Sequence, residues 1–540
     1  MSQAVESKVN SEVNDAGQDS NSYDLFPYPS HPFPQTHPER LASVAKLFEV
    51  EAPAPETARV LEIGSASGGN LIPMASQLPG ATFLGIDLSQ RQIEEGQQRI
   101  ERLDLANIEL RHANLLDARS SLGEFDYVIC HGVYSWVPAD VQTAILEVCR
   151  DHLSPNGVAF VSYNTYPGWH FRGLVRDMMC YHDNSQRSPQ ERVVQARALL
   201  GFLAESVSAE SSAYGMMLRG EFELLSKHDD RYLFHEHLEA NNHPCYFHEF
   251  MAKATAAQLQ YLGDSSVSSM WIGNFPEKVA TTLQRIAPDI IQREQYTDFV
   301  RNRLFRQTLL CHANARIDRG LGPRRIQGGL FAGRFTTDNE QANVDLAATT
   351  NVTFQSPGNS RQLTTRDPLI KAAVVHISNA WPASIGFDEL FQAARLSLGA
   401  NQIEDASRVE AARDNLATQL LRLYVSGMLE LKFAPDRFTT QIAAKPATTA
   451  IVREQAAREN RVTNQRHESV HTDDFVRHLC PALDGSRDRG SLMAYVKNLV
   501  EQGKLVIHRP EGSADQELEA LLSRAVEQAL QKMAKQALLV

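Results

Sequence analysis

The stretch VLEIGSASGGNL, residues 60–71, carries the pattern that predicts the fold of this 540-residue chain. An apolar run ends at Gly64, and Gly68 and Gly69 follow just before a second apolar run. This order predicts a strand, a glycine turn and the start of a helix, an arrangement that holds a nucleotide against backbone N–H groups. Glu62 lies two residues before the first glycine, and its carboxylate limits which nucleotide can bind there.

Around this stretch, residues 59–164 alternate between strand and helix patterns. Short apolar runs predict five strands, and the segments between them repeat apolar residues at helical spacing. The strands fall in RVLEIG, TFLGID, IELRHANLLD, FDYVICHG and NGVAFVSYN. Strands that alternate with helices in this way predict a doubly wound, Rossmann-like α/β fold whose parallel sheet is covered on both faces.

Three nucleotide classes compete for the glycine turn. A P-loop needs Lys followed by Ser or Thr after the glycines, and Asn70 and Leu71 stand there instead. A dinucleotide fold needs GxGxxG, whereas this turn reads GxxxGG. A carboxylate at Glu62 would also oppose a pyrophosphate bound at a helix N-terminus. S-adenosylmethionine, which carries an ammonium and a sulfonium cation, fits this charge and is the predicted cofactor.

Two later residues match the same nucleotide pattern. Asp87 ends the second strand and follows Gly64 by 23 residues. That spacing is close to the roughly 20 positions expected for an acidic residue that accepts hydrogen bonds from ribose hydroxyls. Asn114, after the third strand, stands where a polar group would face the adenine. The predicted cofactor-binding residues are Glu62, Gly64, Ser65, Ala66, Gly68, Asp87, Leu88, Asn114, Leu115 and His131.

The ends of the fourth and fifth strands carry the candidate catalytic residues, in HGVYSWVP (131–138) and SYNTYPGW (162–169). Ligand sites in such sheets lie beyond the carboxyl ends of the strands. We predict that Tyr134 and Trp136 line a channel for an amine, and the alternative is that they are core aromatics beneath the following helix. Tyr163 and Asn164 carry groups that orient an amine. His131 either walls the cofactor or acts as a base.

The bulk composition argues against several classes of partner. The formal net charge of −12 does not suit a nucleic-acid backbone. Six cysteines without a CxxC pair indicate reduced thiols rather than a disulfide framework. No apolar run approaches the ~20 residues of a membrane span, and the N-terminus has no apolar signal core, so we expect a cytoplasmic protein without a membrane partner.

Histidines in the middle of the chain raise the question of a metal. An H-x-H pair is awkward on a helix, and no cysteine lies at zinc-ligand spacing from it. We therefore expect no metal and interpret these side chains as core or hydrogen-bonded ones. They are His235, His237, His243 and His248.

Residues from about 55 to 165 resemble a class I S-adenosylmethionine-dependent methyltransferase. The resemblance lies in LEIGSASGG, GIDLS, ANLLD, FDYVICHGVYSWVP and GVAFVSYNTYPGW. The longer chain resembles methyltransferases that carry a methyltransferase regulatory domain, in HPFPQTHPERL, YLFHEHLE, PCYFHEF and RNRLFRQTLLCH. That group includes the rickettsial-type lysine methyltransferases of outer-membrane proteins, which also have a winged-helix-like C-terminal region. Ala66 departs from the second glycine of many class I enzymes but is small enough for the cofactor to approach.

The domain organisation combines this resemblance with the residue patterns. Late strands in LQYLGDSSVSSM and RQTLLCHANARI are expected to return to the core sheet, which makes the helical segment before them an insertion. The alternative is a separate domain after about residue 185. The predicted units are a disordered leader (1–20), the methyltransferase core (21–169), a helical regulatory domain (170–314), a β connector (315–364), a winged-helix-like domain (365–436), and a linker with a second helical or winged-helix-like unit (437–540).

The resemblance favours a protein-lysine N-methyltransferase that transfers the methyl group in line to a deprotonated amine, with lysine side chains of a protein as substrate. One alternative is a small-molecule methyltransferase whose accessory modules form a homodimer. Another is a non-catalytic regulatory protein that retains the cofactor fold. The intact Glu62, Asp87 and Asn114 argue against the last. A winged helix usually indicates DNA binding through a basic recognition helix. The candidate recognition helix of the first winged-helix-like domain, SRVEAARDNLATQLLRLYVS, is not strongly basic, so we predict that this domain contacts protein rather than DNA.

Overall fold

The computed structural model describes residues 24, 26–27, 30–184, 187–337, 344–358, 361–399, 405–506 and 515–540. The predicted leader, residues 1–20, lies outside the described residues. Among the helices of the described part, none is long and apolar enough to cross a bilayer.

The first part of the chain forms the alternating unit that the sequence predicts. One of its helices starts at a side-chain cap, in which the Ser89 hydroxyl accepts the Gln92 N–H at 3.2 Å and so satisfies one of the free N–H groups at the helix start. The elements are α1 (Pro38–Leu47), β1 (Arg59–Ile63), α2 (Leu71–Gln77), β2 (Thr82–Asp87), α3 (Gln90–Leu103), β3 (Ile108–His112), α4 (Leu115–Ala118), β4 (Phe125–Cys130), α5 (Ala139–Asp151) and β5 (Leu153–Asn164).

The middle of the chain is mainly helical and ends in two strands. Its elements are α6 (Trp169–His182), α7 (Pro189–Ser206), α8 (Ala213–Leu225), α9 (Asp230–His237), α10 (Phe247–Ala256), β6 (Leu259–Asp264), α11 (Val267–Met270), α12 (Glu277–Ile286), α13 (Ile290–Arg301) and β7 (Phe305–His312). Helices α6 to α9 enclose an apolar cluster of their own, which includes Val193, Leu218 and Leu233.

One seven-stranded sheet joins these two parts, in the order β3-β2-β1-β4-β5-β7-β6. Strands β1 to β5 are parallel, whereas β7 runs antiparallel to both β5 and β6. The late strands therefore lie in the same sheet as the first five, as the insertion hypothesis requires. The predicted doubly wound α/β class is confirmed.

Alternate residues of the central strands enter different apolar clusters on the two faces of the sheet. Val60 and Ile129 belong to one cluster, and Leu61 and Val128 belong to the other. This alternation follows from the two-residue period of a strand. Since both faces are buried, the strands read as continuous apolar runs in the sequence.

The C-terminal part carries the smaller sheets and the remaining helices. Its elements are β8 (Leu330–Ala332), β9 (Thr336–Thr337), β10 (Val352–Gln355), β11 (Gln362–Thr365), α14 (Pro368–Ala380), β12 (Ile385–Gly386), α15 (Phe387–Ser397), α16 (Ala406–Val425), β13 (Glu430–Lys432), α17 (Ala450–Ala456), β14 (Arg461–Thr463), β15 (Ser469–His471), α18 (Asp474–Leu479), α19 (Arg489–Glu501) and α20 (Asp515–Lys535). Strand β8 lies in the predicted connector, yet it pairs with both β12 and β13. The predicted boundary at residue 365 therefore cuts through a sheet, because strand pairing joins residues far apart in the chain.

Candidate functional site

The candidate site lies at the edge of the sheet where the parallel strands end. The turn after β1 has positive φ angles at Gly64 (77°) and Gly68 (73°), a region that only glycine adopts at little cost. The Gly64 N–H donates to the Ile86 carbonyl at 2.9 Å, and a Cβ at Gly64 would overlap the Val133 side chain. The turn thus needs glycine for its backbone and for its contact with the loop after β4.

Asp87 fixes this turn to the end of β2. One carboxylate oxygen accepts the Ala66 N–H at 2.8 Å, and the other accepts the Ser89 N–H at 2.8 Å. Ala66 has a φ of 48°, so the turn holds a non-glycine residue in a left-handed conformation. Burial raises the pKa of Asp87, although the backbone donors oppose that shift. The structure therefore brings the predicted ribose-binding carboxylate against the predicted glycine turn.

Glu62 is buried beneath the turn with one oxygen unpaired. Its side chain is 3% exposed, and its Oε1 accepts a hydrogen bond from Asn70 Nδ2 at 2.6 Å. Its Oε2, and the buried Ser65 Oγ, have no hydrogen-bond partner among the described residues. Burial raises the pKa of Glu62 to about 8. An unpaired buried carboxylate oxygen is costly, and a cationic ligand beside it offsets that cost, so these residues fit S-adenosylmethionine.

Asn70, which the sequence marked only as the residue in place of a P-loop lysine, joins four segments at this point. Its Nδ2 also donates to Thr36 Oγ1 at 3.0 Å. Its Oδ1 accepts the Phe33 N–H at 2.8 Å and contacts His467 Nε2 at 2.9 Å. His467 lies 397 residues away in the chain, so no local pattern could have predicted its presence here.

The N-terminal segment covers the turn. Ser30 Oγ accepts the Gly69 N–H at 2.7 Å, and the Phe33 ring lies 4.2 Å from the His131 ring. His131 Nδ1 is 2.9 Å from Ser162 Oγ, which also accepts the Gly132 N–H. Burial lowers the pKa of His131 to about 4, so its imidazole is neutral at pH 7.

The predicted adenine side is more open. Leu88 is 52% exposed, whereas Leu115 is buried. Asn114 is exposed, and its Oδ1 accepts the Leu116 N–H at 3.0 Å, which caps α4. Asn114 thus has a structural role in helix capping at the position predicted for an adenine contact.

Of the four candidate catalytic residues, three are buried and one, Trp136, is half-buried. Tyr134 and Tyr163 are buried, with ring centroids 6.0 Å apart, and both pack against Phe250. The Tyr163 hydroxyl bonds to Thr308 Oγ1 at 3.0 Å, while the Tyr134 hydroxyl has no partner among the described residues. The burial of Tyr134 under α10 fits the core-aromatic interpretation better than a channel wall, and the Tyr163 hydroxyl, predicted to orient an amine, bonds to Thr308 instead.

Trp136 and Asn164 are the other two candidate catalytic residues, and Asn164 is also buried, at 4% exposed. Trp136 is half-buried and meets Trp169 edge to face at 6.2 Å. Asn164 Nδ2 donates to Asn242 Oδ1 at 3.2 Å, and its backbone N–H donates to Ser135 Oγ. The loop before α10 therefore reaches the end of β5.

The middle histidines are held by ordinary polar contacts at two positions. His235 Nδ1 lies 2.8 Å from Glu239 Oε1, and its Nε2 lies 2.6 Å from the Phe26 carbonyl. His248 Nδ1 contacts Gln295 Oε1 at 2.9 Å. Within the described ranges, no group of three or more His, Cys, Asp or Glu side chains is arranged to hold a metal ion.

Three family models match separate parts of this chain. Residues 61–159 match a methyltransferase domain, and residues 229–312 match a predicted methyltransferase regulatory domain. Residues 444–538 match the PKMT C-terminal winged helix domain. The winged helix that the family model identifies is therefore the second of the two C-terminal units predicted from the sequence.

Full-length relatives agree with these matches. An uncharacterized protein of Rickettsia prowazekii is 37% identical over 544 residues, which cover 98% of this chain and 96% of the relative. The solved structure of PKMT2 from Rickettsia typhi in complex with AdoHcy is 33% identical, with a TM-score of 0.86, and the match covers 95% of this chain and 100% of that one. The chain belongs to this family of PKMT-type proteins and is an S-adenosylmethionine-dependent methyltransferase.

Proposed function

We propose that this methyltransferase acts on lysine side chains of protein substrates. The observation that carries the proposal is the likeness to Rickettsia typhi PKMT2 over the full length of that chain, together with the PKMT winged helix domain at residues 444–538. A small acceptor would not need three accessory modules around the site, whereas a protein acceptor needs surface on which to dock. The regulatory and winged-helix units provide that surface.

The cofactor half of the site, as we propose it, consists of the ten residues predicted from the sequence. They are Glu62, Gly64, Ser65, Ala66, Gly68, Asp87, Leu88, Asn114, Leu115 and His131. When bound, S-adenosylmethionine supplies an electrophilic methyl group on a sulfonium cation. Glu62 offers an unpaired carboxylate oxygen to the cationic part of the ligand, and Asp87 offers carboxylate lone pairs to ribose hydroxyls.

His131 acts in this proposal as a wall of the cofactor site. Burial holds the pKa of its imidazole at about 4. A lysine ammonium has a pKa of about 10.4 in water, so proton transfer from it to such an imidazole would be uphill by about six pKa units. The contacts of the ring with Phe33 and Phe160 also suit a wall. Of the two roles predicted for His131, the base is therefore the weaker one.

The acceptor half contains the four predicted catalytic residues, in roles that follow from their environments. In this proposal the half-buried Trp136 contacts the incoming amine, and the buried Asn164 carries the amide that orients it at the end of β5. Tyr134 and Tyr163 support this surface from below, since their rings are buried. The apolar surroundings disfavour the charged form of a lysine and so ease the loss of its proton before transfer.

The regulatory segment is proposed to select the substrate at this half. The His243 N–H donates to the Ser135 carbonyl at 2.7 Å, and the Cys245 N–H donates to the Asn164 carbonyl at 3.2 Å. A segment tied to the ends of both β4 and β5 is well situated to present a bound peptide to Asn164. We propose the same division of the chain into units as the sequence suggests, with β8 assigned to the winged-helix-like domain.

We also propose that the protein is cytoplasmic and that it forms a homodimer. All six cysteines are free thiols, which suits a reducing compartment such as the cytoplasm. A homodimer would add further docking surface, and sedimentation of the full chain at several concentrations tests it.

The proposed acceptor is tested with methyl-labelled S-adenosylmethionine and a protein extract, followed by mass spectrometry of tryptic peptides. We expect label on lysine side chains. A matched extract whose lysines have been chemically dimethylated should take up at least tenfold less label. Label that appears only in the small-molecule fraction, or equally in both extracts, would contradict the proposal.

A further inference from the structure

The hairpin formed by β14 and β15 (residues 461–471, the C-terminal hairpin) reaches the glycine turn of the methyltransferase core. Its turn residue His467 is 2% exposed, and its Nε2 lies 2.9 Å from Asn70 Oδ1. The same hairpin forms a second hydrogen bond with the core, in which Gln77 Nε2 donates to the Asn464 carbonyl at 3.1 Å. The hairpin therefore contacts both ends of α2. The contact at Asn70 lies at the start of the helix, beside the glycine turn, and the contact at Gln77 lies at the end of the helix.

The contacts of Asn70 fix the direction of its amide. Its Oδ1 must accept from the Phe33 N–H, because a backbone N–H only donates, and its Nδ2 donates to both Thr36 Oγ1 and Glu62 Oε1. His467 Nε2 must therefore carry the proton and donate to Oδ1. A rotation of the amide by half a turn would set Nδ2 against the donors Phe33 and His467 and would remove the donor from Glu62.

The charge state of His467 agrees with this arrangement. Burial lowers the pKa of His467 well below its usual range, and the neighbouring His37, whose ring lies 5.2 Å away, lowers it further. The ring is thus neutral and offers a single N–H, which the hydrogen bond to Asn70 uses. A neutral donor holds the amide without adding a positive charge that would compete with a cationic ligand for Glu62.

We propose that His467 is a positioning residue of the cofactor site, so that the C-terminal winged-helix domain completes the site in which methyl transfer takes place. His467 orients Asn70, and Asn70 holds one oxygen of Glu62 so that the other is left for the ligand. This inference rests on the proposed role of Glu62 in cofactor binding. It goes beyond that role because it assigns to the C-terminal domain a part in cofactor binding.

The test uses three variants of the full chain and the calorimetric affinity for S-adenosylmethionine. His467 has a φ of 59°, a conformation that glycine adopts without strain and glutamine does not. His467→Gly therefore removes the donor and relieves the backbone, whereas His467→Gln keeps an amide donor and strains it. We expect His467→Gly to bind about tenfold more weakly, as for one lost buried hydrogen bond, and His467→Gln to stay within about threefold of the wild type.

The control is His471→Ala, at an exposed position on the same hairpin, which should leave the affinity unchanged. An unaltered affinity in His467→Gly, or equal losses in His467→Gly and His467→Gln, would overturn the inference. If His467→Gly does not fold, His467→Asn replaces it, because asparagine tolerates this backbone but is too short to reach Asn70. If Asp87→Ala and Glu62→Gln also bind normally, then the proposed cofactor site itself is wrong, and this result is distinct from failure of His467 alone.

Discussion

The cofactor half of the site is centred on the ends of β1 and β2, and the acceptor half lies at the ends of β4 and β5. The two halves are built from contacts of different range. In the cofactor half, Ala66 and Asp87 are 21 residues apart in the chain. In the acceptor half, Asn164 bonds to Asn242 across 78 residues, and Tyr163 bonds to Thr308 across 145. The centre of the first half is a local motif to which distant residues such as His467 are added, whereas the second half depends on the regulatory segment. The contact between the glycine turn and Asp87 is thus set within one βαβ unit, and His467 joins it from a distant domain, while the acceptor half is completed by the regulatory segment.

The largest effect should come from the glycine turn, because it forms the local centre of the cofactor half. Gly64→Ala forces a side chain into a positive-φ position and into the Val133 side chain, at a cost of about 2–4 kcal/mol. We expect loss of measurable cofactor binding by calorimetry. Gly132→Ala is the matched control, because Gly132 also has a positive φ (70°) but open space where a Cβ would lie. Equal damage in both variants would refute the proposed close contact.

Asp87→Ala should produce the next largest effect. It removes the acceptor of two backbone N–H groups and the proposed ribose ligand, so the affinity for S-adenosylmethionine should fall by about 1–3 kcal/mol. Calorimetric titration measures the change, with Glu101→Ala as control, since Glu101 is an exposed carboxylate on α3. An unchanged affinity would remove Asp87 from the site.

The pH dependence of cofactor binding sharpens the role of Glu62. A carboxyl group is ionised above its pKa, and burial places that of Glu62 at about 8. The carboxylate that attracts a cation is therefore scarce at pH 7 and abundant at pH 9. We expect affinity for S-adenosylmethionine to rise up to about tenfold across this window in the wild type relative to Glu62→Gln, which cannot ionise. Parallel pH profiles for the two proteins would exclude titration of Glu62 as the cause.

The smallest effect tests the acceptor half. Asn164→Ala breaks the contact with Asn242 and removes the proposed amine-orienting amide, so kcat for lysine methylation should fall about 3- to 10-fold while cofactor affinity is unchanged. Tyr163→Phe is the matched variant, because it removes only a buried hydroxyl that bonds to Thr308. Its kcat should stay within about twofold of the wild type, with a small loss of thermal stability. If Tyr163→Phe were the slower enzyme, the buried tyrosine would have a direct catalytic role.

The sequence was sufficient for the parts of the molecule that depend on short-range patterns. Continuous apolar runs predicted the buried parallel strands, and the spacing from Gly64 to Asp87 predicted two groups that the structure brings together. Ser89 is another short-range feature, since a serine directly before a helical pattern is typical of a helix cap and its side chain accepts the Gln92 N–H.

Long-range contacts could not be predicted from the sequence, and the reason is physical. His467 reaches Asn70 from 397 residues away, and β8 pairs with β12 and β13 across a predicted domain boundary. Neither contact leaves a periodic signal in the sequence, because each depends on how separate units pack. The burial of Tyr134 and Tyr163 is a similar case, since α10, which covers them, comes more than 80 residues later.

The selectivity of the glycine-turn site for a cationic nucleoside is tested most directly by calorimetry. S-adenosylmethionine and NAD are compared as ligands of the full chain at pH 8.5, where Glu62 is largely ionised. We expect that the sulfonium nucleoside binds and that NAD, with its diphosphate, does not displace it even at a hundredfold excess. Displacement of the methyl donor by NAD would contradict the claim that a buried carboxylate makes this crevice selective for a cation.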